Sequence, residues 1–164
     1  MTDSSGKLTA FSGHFPRSSP QLRELTEQSH GLVLFNGPSA YISPSWMRNR
    51  AQAPTWASAS ASFRCEFTFT ESPEELRYRL NDLVDAMELG RPDPWRLEEV
   101  EARYESLARG IIPFSASILS QRAAFRLAQN EDEETFEDVL TGLREDGEED
   151  IVSMMEEFRP RRAD

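Results

Sequence analysis

A single cysteine, Cys65, leaves no partner for an internal disulfide and removes every cysteine-rich zinc scaffold. Two histidines, His14 and His30, lie far apart without supporting carboxylates beside them, so neither a metal pair nor a catalytic triad is expected. No apolar run approaches the roughly 20 residues that span a bilayer, and Met1–Lys7 has no basic stretch leading into an apolar one. The chain is therefore expected in the cytoplasm, with no membrane partner. No glycine-rich loop of the phosphate-cradling kind occurs anywhere. Basic residues are also short: 18 Lys and Arg against 29 Asp and Glu give a net charge of −11. A surface of that sign repels a phosphate backbone, which disfavours direct DNA binding.

What is present is enough for a folded core. Apolar residues make up 38% of the 164 positions, with ten phenylalanines and three tryptophans. The acidity is uneven. Residues 1–70 carry six basic and four acidic side chains, whereas residues 131–164 carry four basic and fourteen acidic ones. An anionic ligand should accordingly sit among the first seventy residues, where Arg17, Arg23, Arg48, Arg50 and Arg64 face little competing charge.

The hydrophobic pattern predicts strand, helix, strand, strand, strand over the first half. A strand is expected over 8–14, and a helix opens at Ser19-Pro20 and runs to about His30. Strands over 31–35 and 40–43 are expected on either side of a break at Asn36-Gly37-Pro38. Ser62–Phe69 alternates with Phe63, Cys65, Phe67 and Phe69 on one face, the clearest strand in the chain. Ser72-Pro73-Glu74-Glu75 starts a helix whose Leu76, Leu80, Leu83, Val84 and Met87 form one apolar stripe, ended by Gly90. A second helix spans 97–108. Two strands, 111–119 and 123–128, are expected to turn at Ser120-Gln121-Arg122, and acidic helices follow from Asn130 and beyond Gly147. Strands, then helices, then strands again make the class α+β, with a mostly antiparallel sheet of about six strands, open or closed into a small barrel. Residues 1–145 form the folded domain and 146–164 an acidic helix or tail.

Two stretches could hold a ligand. His14, Arg17, Ser18 and Ser19 bring a guanidinium and two hydroxyls to a helix start whose first N–H groups are unpaired, a combination suited to a phosphate monoester; plain helix capping is the alternative. Tyr41, Ser43, Ser45, Trp46, Thr55 and Trp56 set aromatic faces and small hydroxyls on both sides of a basic loop, where they could sandwich a planar ring; the alternative is two core tryptophans beside turns. Cys65 falls on the apolar strand face and is expected to be a buried, inert thiol.

Ser12-Gly13-His14 with Arg17 and Pro20, then Gly37-Pro38-Ser39-Ala40-Tyr41-Ile42-Ser43-Pro44-Ser45-Trp46, then Ala53-Pro54-Thr55-Trp56, resemble in order the words of the PaiB-type FMN-binding negative transcriptional regulators, relatives of the pyridoxamine phosphate oxidase-like split barrels. Asp93-Pro94-Trp95, Gly110-Ile111-Ile112-Pro113-Phe114, Phe125-Arg126-Leu127-Ala128-Gln129-Asn130 and Gly142-Leu143-Arg144 continue the resemblance over residues 11–145. It implies an α+β, mostly antiparallel split β-barrel with flanking helices, shortened at the N-terminus, that works as a homodimer with FMN as cofactor and regulates transcription. His14, Arg17, Ser18 and Ser19 would then hold the flavin phosphate, and Tyr41, Ser43, Ser45, Trp46, Thr55 and Trp56 would line the ring. Met47, Ala57-Ser58 and Ala61 stand where the family commonly has an aromatic residue, Asn-Tyr and a histidine. Each exchange removes a stacking or hydrogen-bonding group, so weakened or lost flavin binding stays open. The other functions weighed are a flavin-dependent oxidoreductase of the split-barrel group and a cofactor-free interaction paralogue. No residue is singled out as catalytic and no metal is expected.

Overall fold

Ser72 begins the longest helix as the sequence leads one to expect: its Oγ accepts the Glu75 N–H at 3.1 Å, and Pro73 takes the first helical position, where a missing N–H costs nothing. The same local logic operates along the chain. The computed structural model describes residues 1–159, so the last five residues of the expected acidic tail lie outside it. In order the elements are β1 (Ala10–Pro16), α1 (Pro20–Glu27), β2 (His30–Ile42), β3 (Thr55–Phe69), α2 (Pro73–Glu88), α3 (Glu101–Ala108), β4 (Ile111–Arg126), α4 (Glu133–Glu145) and α5 (Glu149–Glu157), with short 3-10 turns at Pro44–Trp46 and Leu97–Val100. The class is α+β. The strands form one four-stranded sheet in the order β1-β4-β3-β2, and β1 pairs antiparallel with β4 from Ala10 opposite Ser117 to Pro16 opposite Ile111.

Four strands replace the six expected, because two supposed turns are strand interior. Asn36-Gly37-Pro38 does not break β2. A Cβ at Gly37 would stand 3.2 Å from the Ala59 carbonyl oxygen and 3.3 Å from its Cβ, so glycine lets the two backbones approach. Pro38 is tolerated because β2 is an edge strand, where a missing donor leaves no ladder bond unmade. Ser120-Gln121-Arg122 likewise continues β4: the three side chains are exposed and polar, which a strand facing solvent accommodates as readily as a turn does.

The chain divides into two units, Met1–Val33 with Phe63–Ser120, and Leu34–Ser62 with the described residues from Gln121 onward. In the first unit Cys65, Phe67 and Ala116 are buried, with Phe11, Phe15, Phe63, Phe69 and Phe114 packed against them. Ring pairs Phe11–Phe63 and Phe15–Phe114, both 4.9 Å between centroids, and Phe67–Phe114 at 5.4 Å tie β1, β3 and β4 together. Burial pushes the Cys65 thiol pKa up, as an inert core thiol requires. The second unit is centred on Phe136, Val139, Leu140 and Leu143 of α4 and on Ile151, Val152 and Met155 of α5, joined by Ala40, Ile42, Met47, Ala57 and Leu127.

Two packing details are testable. An ideal Cβ at Gly142 would fall 2.2 Å from the Trp46 ring. Gly142→Ala gains roughly 1 kcal/mol of helix propensity but over-packs this contact, at about 1–3 kcal/mol or more, so a lower melting temperature and an altered near-UV tryptophan signal are expected. Tyr104, 6% exposed, carries a hydroxyl with no hydrogen-bond partner among the described residues, while its ring lies 4.5 Å beneath the Arg77 guanidinium. Tyr104→Phe keeps the cation–π contact and removes the unsatisfied group, so urea unfolding should show stability unchanged or raised by about 1 kcal/mol.

Candidate functional site

In the second unit the Ser-Pro-Ser-Trp word folds as a single 3-10 turn. Ser43 Oγ accepts the Ser45 N–H at 3.2 Å and lies 2.6 Å from Ser45 Oγ, and the Met47 N–H closes on the Pro44 carbonyl at 3.2 Å. The turn delivers the Trp46 ring onto Gly142 of α4. It is held there by Arg48, whose backbone N–H reaches Asp138 at 2.8 Å and whose Nε reaches the same carboxylate at 3.0 Å.

Beside this turn is a cavity of about 310 Å³. Its floor is apolar, made by Ile42, Met47 and Val139, and its aromatic wall is Trp56 and Phe125. Polar groups rim it: Thr55, Arg126, Gln52 and Asn130, with Glu131 also present. Trp56 is 56% exposed and meets Tyr41 edge-on, with centroids 5.9 Å apart. Arg126 Nη2 donates to Thr55 Oγ1 at 3.5 Å, a long contact. A pocket whose lining combines two aromatic side chains with several polar groups suits a planar heteroaromatic ring, and about 310 Å³ sits at the small end of the roughly 300–1,000 Å³ typical of ligand pockets. The volume fits a ring system better than a whole nucleotide.

Of the six ring-side candidates, Thr55 and Trp56 line this cavity and Tyr41 contacts Trp56. Ser43 and Ser45 cap the turn, and Trp46 packs on α4. The other four candidates lie in the first unit. His14 projects from β1 into a separate cavity of about 230 Å³ shared with Arg79 and Asp82. Arg17 makes a double hydrogen bond to Glu71, at 3.1 and 2.5 Å, and this bond raises the guanidinium pKa and lowers that of the carboxyl. Ser19 is the N-cap residue of α1, yet its hydroxyl bonds Gln21 at 2.7 Å rather than the helix, so the first-turn N–H groups of α1 have no side-chain cap. Ser18 is exposed. The cavity wall contributed by Phe125, Arg126, Gln129 and Asn130 carries no role in the residue-by-residue reading, although the word Phe125–Asn130 is one of those that carry the resemblance.

Comparison with known proteins decides the family. Residues 1–120 match the family described as "Putative FMN-binding domain". The "Protease synthase and sporulation protein PAI 2" of Bacillus subtilis (strain 168) is 30% identical over 147 residues, covering 89% of this chain and 70% of the relative. The chain belongs to this PaiB-type FMN-binding family. FMN is the cofactor that membership implies. The fold agrees. The FAD and haem binding protein of Mycobacterium smegmatis superposes with a TM-score of 0.51 at 17% identity, covering 84% of this chain and 62% of that one. The "putative 5-nitroimidazole antibiotic resistance protein" of Bacteroides thetaiotaomicron does so with a TM-score of 0.50 at 14% identity, covering 74% and 71%. The antiparallel α+β architecture is that of the split barrels. Among the described residues no helix is long and apolar enough to cross a membrane.

The Arg48–Asp138 pair gives the site a pH signature. Hydrogen bonds from the Arg48 side chain, then from its backbone N–H, hold the Asp138 carboxyl below its usual range. A depressed folded-state pKa means that the stabilisation is complete above the ordinary carboxylate value of about 4 and is lost as the pH falls through the lower folded value. Asp138→Asn should therefore melt lower than the parent near neutrality and show a shallower acid limb in melting temperature between about pH 2 and 5.

Proposed function

We propose that this chain is an FMN-holding regulator of the PaiB type, acting in the cytoplasm as a homodimer. Family membership supports the cofactor, and the single observation that carries the ring site is the cavity walled by Trp56 and Phe125 and edged by Thr55 and Arg126. Bound FMN would supply reversible one- and two-electron chemistry, and the protein would set its placement and surroundings. In that role Trp56 and Phe125 flank the ring, while Thr55 and Arg126 donate to its polar edge. Met47 and Val139 exclude water beneath it.

Arg17, Ser18 and Ser19 are the proposed phosphate group; His14, whose side chain lines a different cavity, stays outside it. The uncapped first turn of α1 supplies backbone donors, and the Arg17 guanidinium exchanges exposed Glu71 for the phosphate. The homodimer is supported by β2, an edge strand that exposes Leu32, Leu34 and Phe35. The charge of residues 131–164 supports regulation through a protein partner rather than an operator, and the Bacillus subtilis relative is named as a protease synthase and sporulation protein.

Titrating the purified chain with FMN tests the reading. Saturable quenching of flavin fluorescence is expected, weakened about tenfold in Trp56→Ala through loss of one stacking face. Wild-type protein that neither quenches nor retains flavin on gel filtration would remove the proposal.

A further inference from the structure

Strand β4 ends at Arg126 and α4 starts at Glu133, and the backbone between them adopts a conformation found at no other non-glycine residue described: Ala128 has φ +56°. A residue with a Cβ takes this left-handed region only when its surroundings impose it, and such positions concentrate where a ligand is held. The Gln129 side chain reaches back across Ala128. Its Oε1 accepts the Leu127 N–H at 2.7 Å, and its Nε2 donates to the Phe125 carbonyl at 2.9 Å.

In an extended strand the carbonyl of one residue and the N–H two positions on point the same way, toward a neighbouring strand. A planar primary amide offers one acceptor and one donor side by side, and so stands in for the peptide group of that neighbour. A carboxylate can only accept and an ammonium can only donate, while a hydroxyl does both through a single oxygen and lacks the side-by-side spacing of an amide. The Leu127 side chain, 1% exposed in the core of this unit, anchors the turn from below, and the Glu131 N–H closes it on the Ala128 carbonyl at 3.1 Å.

The residues on either side of this clamp line the cavity. Arg126 precedes it and Asn130 follows it. Arg48, Arg144 and Arg159 in the same unit are bonded to carboxylates, whereas Arg50, Arg122 and Arg126 have no ion pair among the described residues; of these three Arg126 lines the cavity, where its Nη2 makes the long contact to Thr55 Oγ1 and Glu131 lies without an ion pair to it. A guanidinium kept at a cavity mouth in an acidic unit is set to meet an electron-rich group.

We propose that Gln129 is the positioning residue of this cavity: its amide replaces an absent neighbouring strand, keeps Ala128 left-handed, and so fixes Arg126 and Asn130 against the polar edge of the ligand ring. This rests on the flavin reading of the cavity. The wild-type chain and three variants, Q129A, Q129A combined with A128G, and R126Q, are compared by FMN fluorescence titration, by the absorption spectrum of the bound flavin and by amide exchange at Leu127.

Q129A should exchange the Leu127 amide faster, weaken FMN about tenfold and shift the bound-flavin spectrum toward that of free FMN. Adding A128G should recover part of the affinity, because glycine occupies the left-handed region without the clamp. R126Q, a change on an exposed side chain, should weaken FMN comparably with the Leu127 exchange unaltered. Wild-type protein that fails to bind FMN removes the flavin reading and this role with it. Wild-type binding with Q129A within about twofold of it overturns the positioning role alone. Should Q129A not fold, unchanged FMN affinity in R126Q overturns it equally.

Discussion

The contact between Trp46 and the bare face of Gly142 is the constraint on which the second unit depends. An indole can lie on a helix at that distance only where the helix presents no Cβ, and the turn that carries the indole exists only because serine hydroxyls and a proline shape it. Once the turn is seated, Met47 enters the core and Arg48 reaches Asp138. Thr55 and Trp56 then begin β3 at the edge of the cavity. The Ser-Pro-Ser-Trp word is therefore scaffolding for the pocket, which is lined by Ile42 before it and Met47 after it.

Electrostatics in this unit follow from the same economy of positive charge. Fourteen carboxylates lie between residues 131 and 164, and three arginines are engaged with them: Arg48 with Glu134 and Asp138, Arg144 with Glu156, Arg159 with Glu133 and Glu137. Exposed pairs of this kind contribute little individually to stability, roughly 0–1 kcal/mol each. Their effect is to reduce self-repulsion on α4 and α5. Arg126 has no ion pair among the described residues and lies on the cavity wall, where the proposed ligand would be its complement.

The first unit is held by a different device, a set of phenylalanines meeting at 4.9 to 5.4 Å along three strands. Gly13 belongs to it: a Cβ there would fall 2.9 Å from the Phe114 ring, so the glycine of the Ser-Gly-His word makes room for an aromatic side chain across the β1–β4 pairing. That word thus has a packing reason independent of any phosphate, while His14, on the opposite face of β1, is left facing α2.

How much was legible depended on the range of the interaction concerned. The Ser72 cap and the alternation of Phe63 to Phe69 are set by neighbours within four residues, and the sequence alone determined them along with the fold class and, through its ordered words, the family. Asn36-Gly37-Pro38 and Ser120-Gln121-Arg122 have turn-like or polar composition, but what they become depends on Ala59 and on the position of each strand in the sheet, which local composition does not encode. The Phe125–Asn130 wall of the cavity escaped the residue-by-residue reading for the same reason: Trp56 and Phe125 are 69 positions apart, and the side chain of Gln129 acquires its meaning only where β4 has run past the end of its pairing with β1 at Ser117. Short-range propensity selected the elements; long-range packing, through the close approaches that glycine permits and the backbone groups left for side chains to satisfy, decided where a ligand could sit.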